Sequence, residues 1–184
     1  MNRKMMYRVW LAVLGIFILM GVYTTYKLFT GGGDEVFHTN DNIPWTLLIA
    51  TYIFFVLTST GATLVASLST VFGYKQYEPL VKRSIFIGII TLIAGFLAMG
   101  LELGNPLNMF WYFLSPGFSS PIWWMGMFYL GLLVVLIYKF WLLHMEKGSE
   151  KQHKILSVFA FVLELAALST LGAVFGLIEA RPTF

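Results

Sequence analysis

Five stretches of this chain, residues 7–29, 44–72, 84–103, 121–143 and 155–178, are each about as long and apolar as a bilayer crossing requires. No other feature limits the fold as strongly. Lipid offers the backbone no hydrogen-bond partners, so each stretch has to pair its own N–H and C=O groups, which a helix does. The expected fold is an all-α membrane protein forming a single transmembrane domain over residues 1–184. Its first four helices would form a bundle with a fifth beside them. With 58% hydrophobic residues, 11% charged residues and a mean hydropathy of +0.78, the composition exceeds what a soluble core of this size needs.

The charges orient the helices. Arg3, Lys4 and Arg8 precede or open the first run, which is too long for a signal-peptide core and has no small-residue cleavage site after it, so it reads as an uncleaved anchor. Gly31, Gly32 and Gly33 end it. With the N-terminus inside, the inner segments hold these three cations and Lys75, Lys82, Arg83, Lys139, Lys147, Lys151 and Lys154; the outer segments hold only Lys27 and Arg181. The outer side is acidic instead, with Asp34, Glu35, Asp41 and Glu179, and Glu102 close by. The expected location is the inner (cytoplasmic) membrane of a cell, with lipid rather than nucleic acid as the surroundings. A fifth helix followed directly by the chain's end reads as one half of a larger membrane unit, either paired with a second half or cut from a longer chain.

Several chemistries are not expected. The chain has no cysteine, so it forms no disulfide, Cys-ligated zinc or iron–sulfur site of its own. His38, His144 and His153 read as loop residues, so neither the facing histidines of a di-haem cytochrome nor any other metal site is expected. Walker, zinc and serine-nucleophile motifs are missing.

The most informative stretch is Leu101–Trp124, LELGNPLNMFWYFLSPGFSSPIWW. Glu102 ends one apolar run, and Gly104 and Pro106 stop the helix. Ser119, Ser120 and Pro121 start the next, with serine suited to the N-cap and proline to the first helical position. Between them lie four consecutive aromatic residues, Phe110–Phe113, and no Lys, Arg, Asp or Glu. A charge-free aromatic connection fits a membrane interface or the roof of a cavity.

Within it, Glu102 sits at a helix C-terminus, where the dipole and partial burial both disfavour its charged form. Such an acid suits proton exchange with a ligand, and Asn105, Asn108, Tyr112 and Ser119 are polar neighbours in sequence; the plainer alternative is an interfacial glutamate facing water. The stretch Phe37–Trp45, FHTNDNIPW, precedes the second helix on the same outer side. His38 can exchange protons near neutral pH or be a solvated loop histidine. Asn40, Asp41 and Asn42 can orient a ligand or cap the helix. Trp45, Trp123 and Trp124 can stack on a flat ring or belong to an interfacial aromatic belt.

Glu164 lies mid-run in FVLELAAL, where a charge costs about 2.5–3.5 kcal/mol on insertion scales. Ser157 is two turns earlier on the same face, with Ala160 and Ala167 beside it. The readings are a proton-relay acid, or a neutral glutamate hydrogen-bonded across a helix interface. The small and hydroxylated residues Thr51, Thr58, Ser59, Thr60, Gly61 and Thr63 fit close helix packing better than a pathway.

Three stretches together resemble the NrfD/PsrC family, the quinone-interacting multi-pass subunits of polysulfide reductase, nitrite reductase and related respiratory complexes. NDNIPWTLLIATYIFFVLTSTGATL from Asn40 is similar to the family's second-helix signature, LELGNP from Leu101 to a DLGRP-like motif, and SSPIWWMGMFYLG from Ser119 to the SP-x-WW-x-G start of a helix. GLIEARPTF also looks like family sequence that continues into further helices. Glu102 replaces the expected Asp and keeps the acid; Asn105 replaces the expected Arg and removes a cation.

The resemblance implies a quinone, menaquinone or ubiquinone, bound near the outer face. Glu102 and His38 would trade protons with the ring, and Asn40, Asp41, Trp45, Asn105, Tyr112, Ser119 and Trp123 would hold it. It further implies an outer ferredoxin-like iron–sulfur subunit, a catalytic redox subunit and a second membrane half. Two rival functions stand beside this one: a proton-conducting or transport subunit using Glu164, and a structural anchor without a site.

Overall fold

A computed structural model describes residues 3–30, 47–102, 111 and 114–176. It contains helices α1 (Arg3–Phe29), α2 (Leu47–Thr70), α3 (Glu78–Glu102), α4 (Pro121–His144) and α5 (Glu150–Gly176), with a 3₁₀ turn at Lys75–Tyr77 between α2 and α3. Among the described residues, all five helices are long and apolar enough to cross a membrane.

The helices begin and end with local chemistry that explains their limits. Ser120 caps α4, its hydroxyl accepting from Trp123 N at 3.4 Å, and Pro121 occupies the first turn, where no N–H is needed. Gly73, at φ +79°, closes α2 in the left-handed conformation that glycine adopts without steric cost. At the start of α5, Ser149 Oγ accepts from Gln152 N at 3.3 Å while Gln152 Oε1 accepts from Ser149 N at 3.0 Å, a reciprocal capping box.

Two helices start well before their apolar runs, α3 at Glu78 rather than residue 84 and α5 at Glu150 rather than residue 155. The polar first turns keep helical geometry at the interface, where water can solvate their side chains. The extension of α5 and the end of α4 correct the placing of two histidines in loops. His144 is the last residue of α4 and stacks on Phe140, and His153 lies in the first turn of α5.

Contacts among the described residues link α2 with α3, α3 with α4, α4 with α5, and α5 back to α2. Among the described residues, these contacts run through the second to the fifth helices. None of the apolar window of α1 is buried. Buried apolar residues such as Val56, Ile85, Leu92, Leu132 and Leu136 form the interior, while Phe54, Leu97, Val134 and Phe159 face outward. An apolar exterior of this kind is suited to lipid, where close packing and interhelical hydrogen bonds, not exclusion from water, hold helices together.

The α2–α3 seam shows how close that packing is. Ser59 donates to Gly88 O at 2.8 Å. A Cβ at Gly88 would stand 2.7 Å from Thr63 Cγ2, and one at Gly95 would stand 3.0 Å from Val56 Cγ2. Only glycine fits at Gly88 without displacing its neighbour.

Helices α2 to α5 alternate in direction. The α2–α3 and α4–α5 turns share one end, which carries Lys75, Lys82, Lys147, Lys151 and Lys154 and is called the basic end below. The other, holding Phe118 and the start of α4, is the aromatic end.

Candidate functional site

At the aromatic end, Ser120 N bonds Gly117 O at 2.8 Å to fold the chain into the start of α4. Trp124 Nε1 donates back to Phe118 O at 2.9 Å and pins the turn to the helix. Phe118, Trp123 and Trp124 meet at ring-centroid distances of 5.1 to 6.3 Å, and Phe128 stacks under Trp124 at 5.6 Å. Trp124 is partly exposed, but Trp123 is buried, and its indole N–H has no hydrogen-bond partner. A buried donor left unmade costs about 1–3 kcal/mol, so an acceptor brought to this N–H would recover interaction energy.

Ser119 is exposed in the turn before α4, and Glu102 is half-buried as the last residue of α3. His38, Asn40, Asp41, Trp45, Asn105 and Tyr112 lie outside the described residues.

A second polar region runs through the interior. Thr60, Thr63, Ser67 and Thr70 recur at three- and four-residue intervals on one face of α2, and the first three are buried. Glu164 of α5 is 1% exposed, and its Oε1 is hydrogen-bonded to the Thr63 hydroxyl. Thr63 Oγ1 is also within bonding distance of Ser59 O at 3.0 Å and Thr60 O at 3.1 Å. A hydroxyl has one proton but can also accept. With an ionised carboxylate, Thr63 donates to Glu164; with a protonated one, Glu164 donates to Thr63, which donates to Ser59 O. The geometry therefore holds either protonation state without leaving a polar atom orphaned.

Above Glu164, toward the aromatic end, the buried hydroxyl of Tyr129 lies beside Thr60 and within electrostatic reach of Tyr52 and Glu164, yet neither the Tyr129 nor the Thr60 hydroxyl completes a hydrogen bond. Tyr52 donates to Met125 Sδ at 3.7 Å. Below it, Ser67 donates to Thr63 O at 3.0 Å and Ser157 to His153 O at 2.6 Å. Lys139 of α4 is 3% exposed; its Nζ donates to Thr70 Oγ1 at 3.4 Å and interacts with Glu164 at longer range. The column opens at the basic end into a cavity of about 280 Å³, lined among others by Thr70, Lys139, Glu150, His153, Lys154 and Ser157.

The sequence singles out Glu164 and Ser157 but not Lys139, Tyr129 or Tyr52. In the charge pattern Lys139 is one more cation flanking the membrane, although IYKFW places it inside an apolar helix. A lysine there is a functional candidate in the way a mid-run glutamate is. The two tyrosines carry no such signal, since buried and interfacial tyrosines look alike in sequence. Thr60 and Thr63, expected as packing residues, face the column, whereas Thr51 and Thr58 bond their own helix at Leu47 O and Phe54 O. Among the described residues, no three His, Asp or Glu side chains converge as a metal site would require.

Residues 35–181 match the family described as "Polysulphide reductase, NrfD". The chain belongs to this family. Helix α1 precedes the matched region. The chain is 29% identical over 150 residues to a selenate reductase subunit of Mesobacillus selenatarsenatis, covering 80% of this chain and 34% of that protein. It is 27% identical over 173 residues to a protein of Nitratidesulfovibrio vulgaris, covering 89% of this chain and 45% of the relative. The chain thus spans less than half the length of these relatives. No solved structure matches it. It is a multi-pass membrane protein of the NrfD/PsrC-like family.

Proposed function

We propose that this chain is the quinone-reactive membrane subunit of a respiratory oxidoreductase. The basic end would face the cytoplasm, and the aromatic end would face an outer iron–sulfur subunit that passes electrons to or from a catalytic redox subunit. The cation bias along the chain supports this orientation. Family membership and the similarity to a subunit of a selenate reductase support the complex. A second membrane half would complete the unit in the inner membrane.

The observation that carries the quinone reading is the buried, unpartnered indole N–H of Trp123 within an aromatic cluster. A flat ring with a carbonyl oxygen complements both features. Trp123 would bond the oxygen, and Glu102 and His38 would exchange protons with the ring. Asn40, Asp41, Trp45, Asn105, Tyr112 and Ser119 would line the pocket. The quinone supplies the electron-accepting ring; the chain orients it and moves protons.

The test is Glu102→Gln in the assembled complex. Gln keeps the shape but holds no transferable proton, so quinol turnover should fall by about a hundredfold, the low end of general acid–base contributions. Unchanged turnover at saturating quinol would make Glu102 structural. A quinone analogue that fails to bind the complex at all would favour the anchor.

A second role, proton conduction, has its own observation in the Glu164–Thr63 pair, which holds either protonation state. Glu164 would relay protons within the membrane while electrons pass at the outer face.

A further inference from the structure

Resting on that proton-conducting role, we infer that Glu164 draws its protons from the cytoplasmic side, through the cavity at the basic end, with Lys139 as the proton-handling group between that cavity and the buried acid.

Three features of the cavity support this. First, it reaches deep enough to include Lys139 and Ser157, both nearly inaccessible to bulk solvent, alongside the mouth residues Glu150, His153 and Lys154. At about 280 Å³ it has room for several waters, which need about 30 Å³ each, and polar walls to bind them. Second, Lys139 is poorly satisfied. An ammonium has three donors, and this one makes a single long bond to Thr70. Its remaining donors suit water in the cavity, and its charge is within reach of Glu164. Third, His153 provides a base at the mouth. Its Nε2 is 2.9 Å from Lys147 O, a carbonyl that can only accept, so Nε2 carries the hydrogen and the neutral ring leaves Nδ1 bare. That Nδ1 is buried and has no partner.

The transfer balances with water of the cytoplasmic phase as the proton source. The Lys139 N–H bond breaks as the O–H bond of the Glu164 carboxyl forms, the proton crossing intervening water because the two groups interact only at longer range. The neutral amine then takes a proton from cavity water, which takes one in turn from the cytoplasmic phase; the bare His153 Nδ1 can accept a proton from bulk water and pass it to the cavity. On the far side of Glu164, the unpaired hydroxyls of Thr60 and Tyr129 continue toward the aromatic end.

The absence of cysteine permits a direct test of access. Single replacements Ser157→Cys and Lys139→Cys, in the complex in sealed vesicles of known sidedness, should react with a charged, membrane-impermeant thiol reagent from the cytoplasmic face only. Labelling from the opposite face, or no labelling while an exposed-loop control such as Ser149→Cys reacts, would overturn the inference. The functional test is Lys139→Arg. Arginine keeps the charge and the packing but does not release its proton, so proton movement per quinol oxidised should fall by about tenfold or more. Quinol turnover in detergent should stay near normal. Normal proton movement in Lys139→Arg would show that only the charge matters and remove Lys139 from the path. A native complex that turns over no quinol would instead defeat the underlying functional reading, while the labelling result would still stand or fall on its own.

Discussion

The two regions of the described bundle hold buried polar groups in different ways. In the column leading from the basic end, Thr63, Ser67, Ser157 and Glu164 are buried but bonded to one another or to backbone carbonyls. At the aromatic end, the wall is made of rings, and the buried donor of Trp123 has no partner. The bonded Glu164–Thr63 pair can pass a proton by exchanging donor and acceptor roles while its heavy atoms stay in place, with the unpaired Thr60 and Tyr129 hydroxyls and the under-bonded Lys139 on either side of it. A wall with an unmet donor is complementary to an acceptor that the described residues do not supply. On the proposed function, protons belong to one region and a ligand to the other, and the two should fail independently when mutated.

The largest expected effect is at Glu164. Glu164→Gln keeps a hydrogen-bonding side chain against Thr63 but removes the carboxyl proton. Proton movement in sealed vesicles should fall by about a hundredfold, whereas quinol turnover in detergent, where no gradient opposes it, should change little. Normal translocation by this variant would leave Glu164 as a buried hydrogen-bonded residue and end the division of labour between the two regions.

Gly88→Ala attacks the same column from the far helix. The added methyl would collide with Thr63 Cγ2, the methyl carbon of the residue that holds Glu164. Overpacking of this kind costs about 1–3 kcal/mol, read as a lower unfolding temperature in detergent. Turning Thr63 away should also impair proton movement without altering quinone affinity. Equal losses at both ends would show that the regions are mechanically coupled.

Much of this arrangement is legible in sequence because lipid leaves few choices. Runs of apolar residues have to be helices, and Ser120–Pro121 marks the start of α4. Glu164 stands out because an acid in FVLELAAL is costly in lipid, whether it relays protons or bonds across a helix interface. The helix starts at Glu78 and Glu150 are less legible, since charged residues end an apolar pattern without ending a helix. Lys139 is hidden for a related reason: near a helix end, a lysine normally extends along its stem toward water, and only packing against α2 shows that this one is enclosed. The division of the α2 hydroxyls depends on rotation about the helix axis. Ser59 and Thr60 are adjacent in sequence, yet one bonds α3 and the other faces Tyr129.

At the aromatic end, Trp123→Phe keeps a ring in the cluster and deletes only the indole N–H. If that donor meets a ligand oxygen, the apparent affinity for quinone should weaken by about 1–1.5 kcal/mol, or roughly tenfold, with proton movement per turnover unchanged. An unaltered or improved affinity, with a gain in stability from removing an orphan donor, would make Trp123 a packing residue. Titrating a quinone analogue against the purified complex distinguishes the outcomes.

The smallest effect concerns the rim of the column. Ser149 and Gln152 hold the first turn of α5, and the following residue, His153, bonds Lys147 O and lines the cavity. Ser149→Ala removes one half of the capping box and should cost about 1 kcal/mol. The loss would fall on the first turn of α5, because Ser157, Glu164 and the small residues Ala160 and Ala167 are packed inside the bundle and hold the rest of the helix. A frayed first turn would let His153 swing away from Lys147 O and open the cavity mouth. Thiol labelling of Ser157→Cys in this background should therefore become faster, while binding of a quinone analogue at the other end stays the same. Slower labelling would mean that the ordered turn itself shapes the entry. A change in analogue binding would mean that α5 carries strain from one end of the molecule to the other, and the separation of proton path from ligand wall would have to be given up.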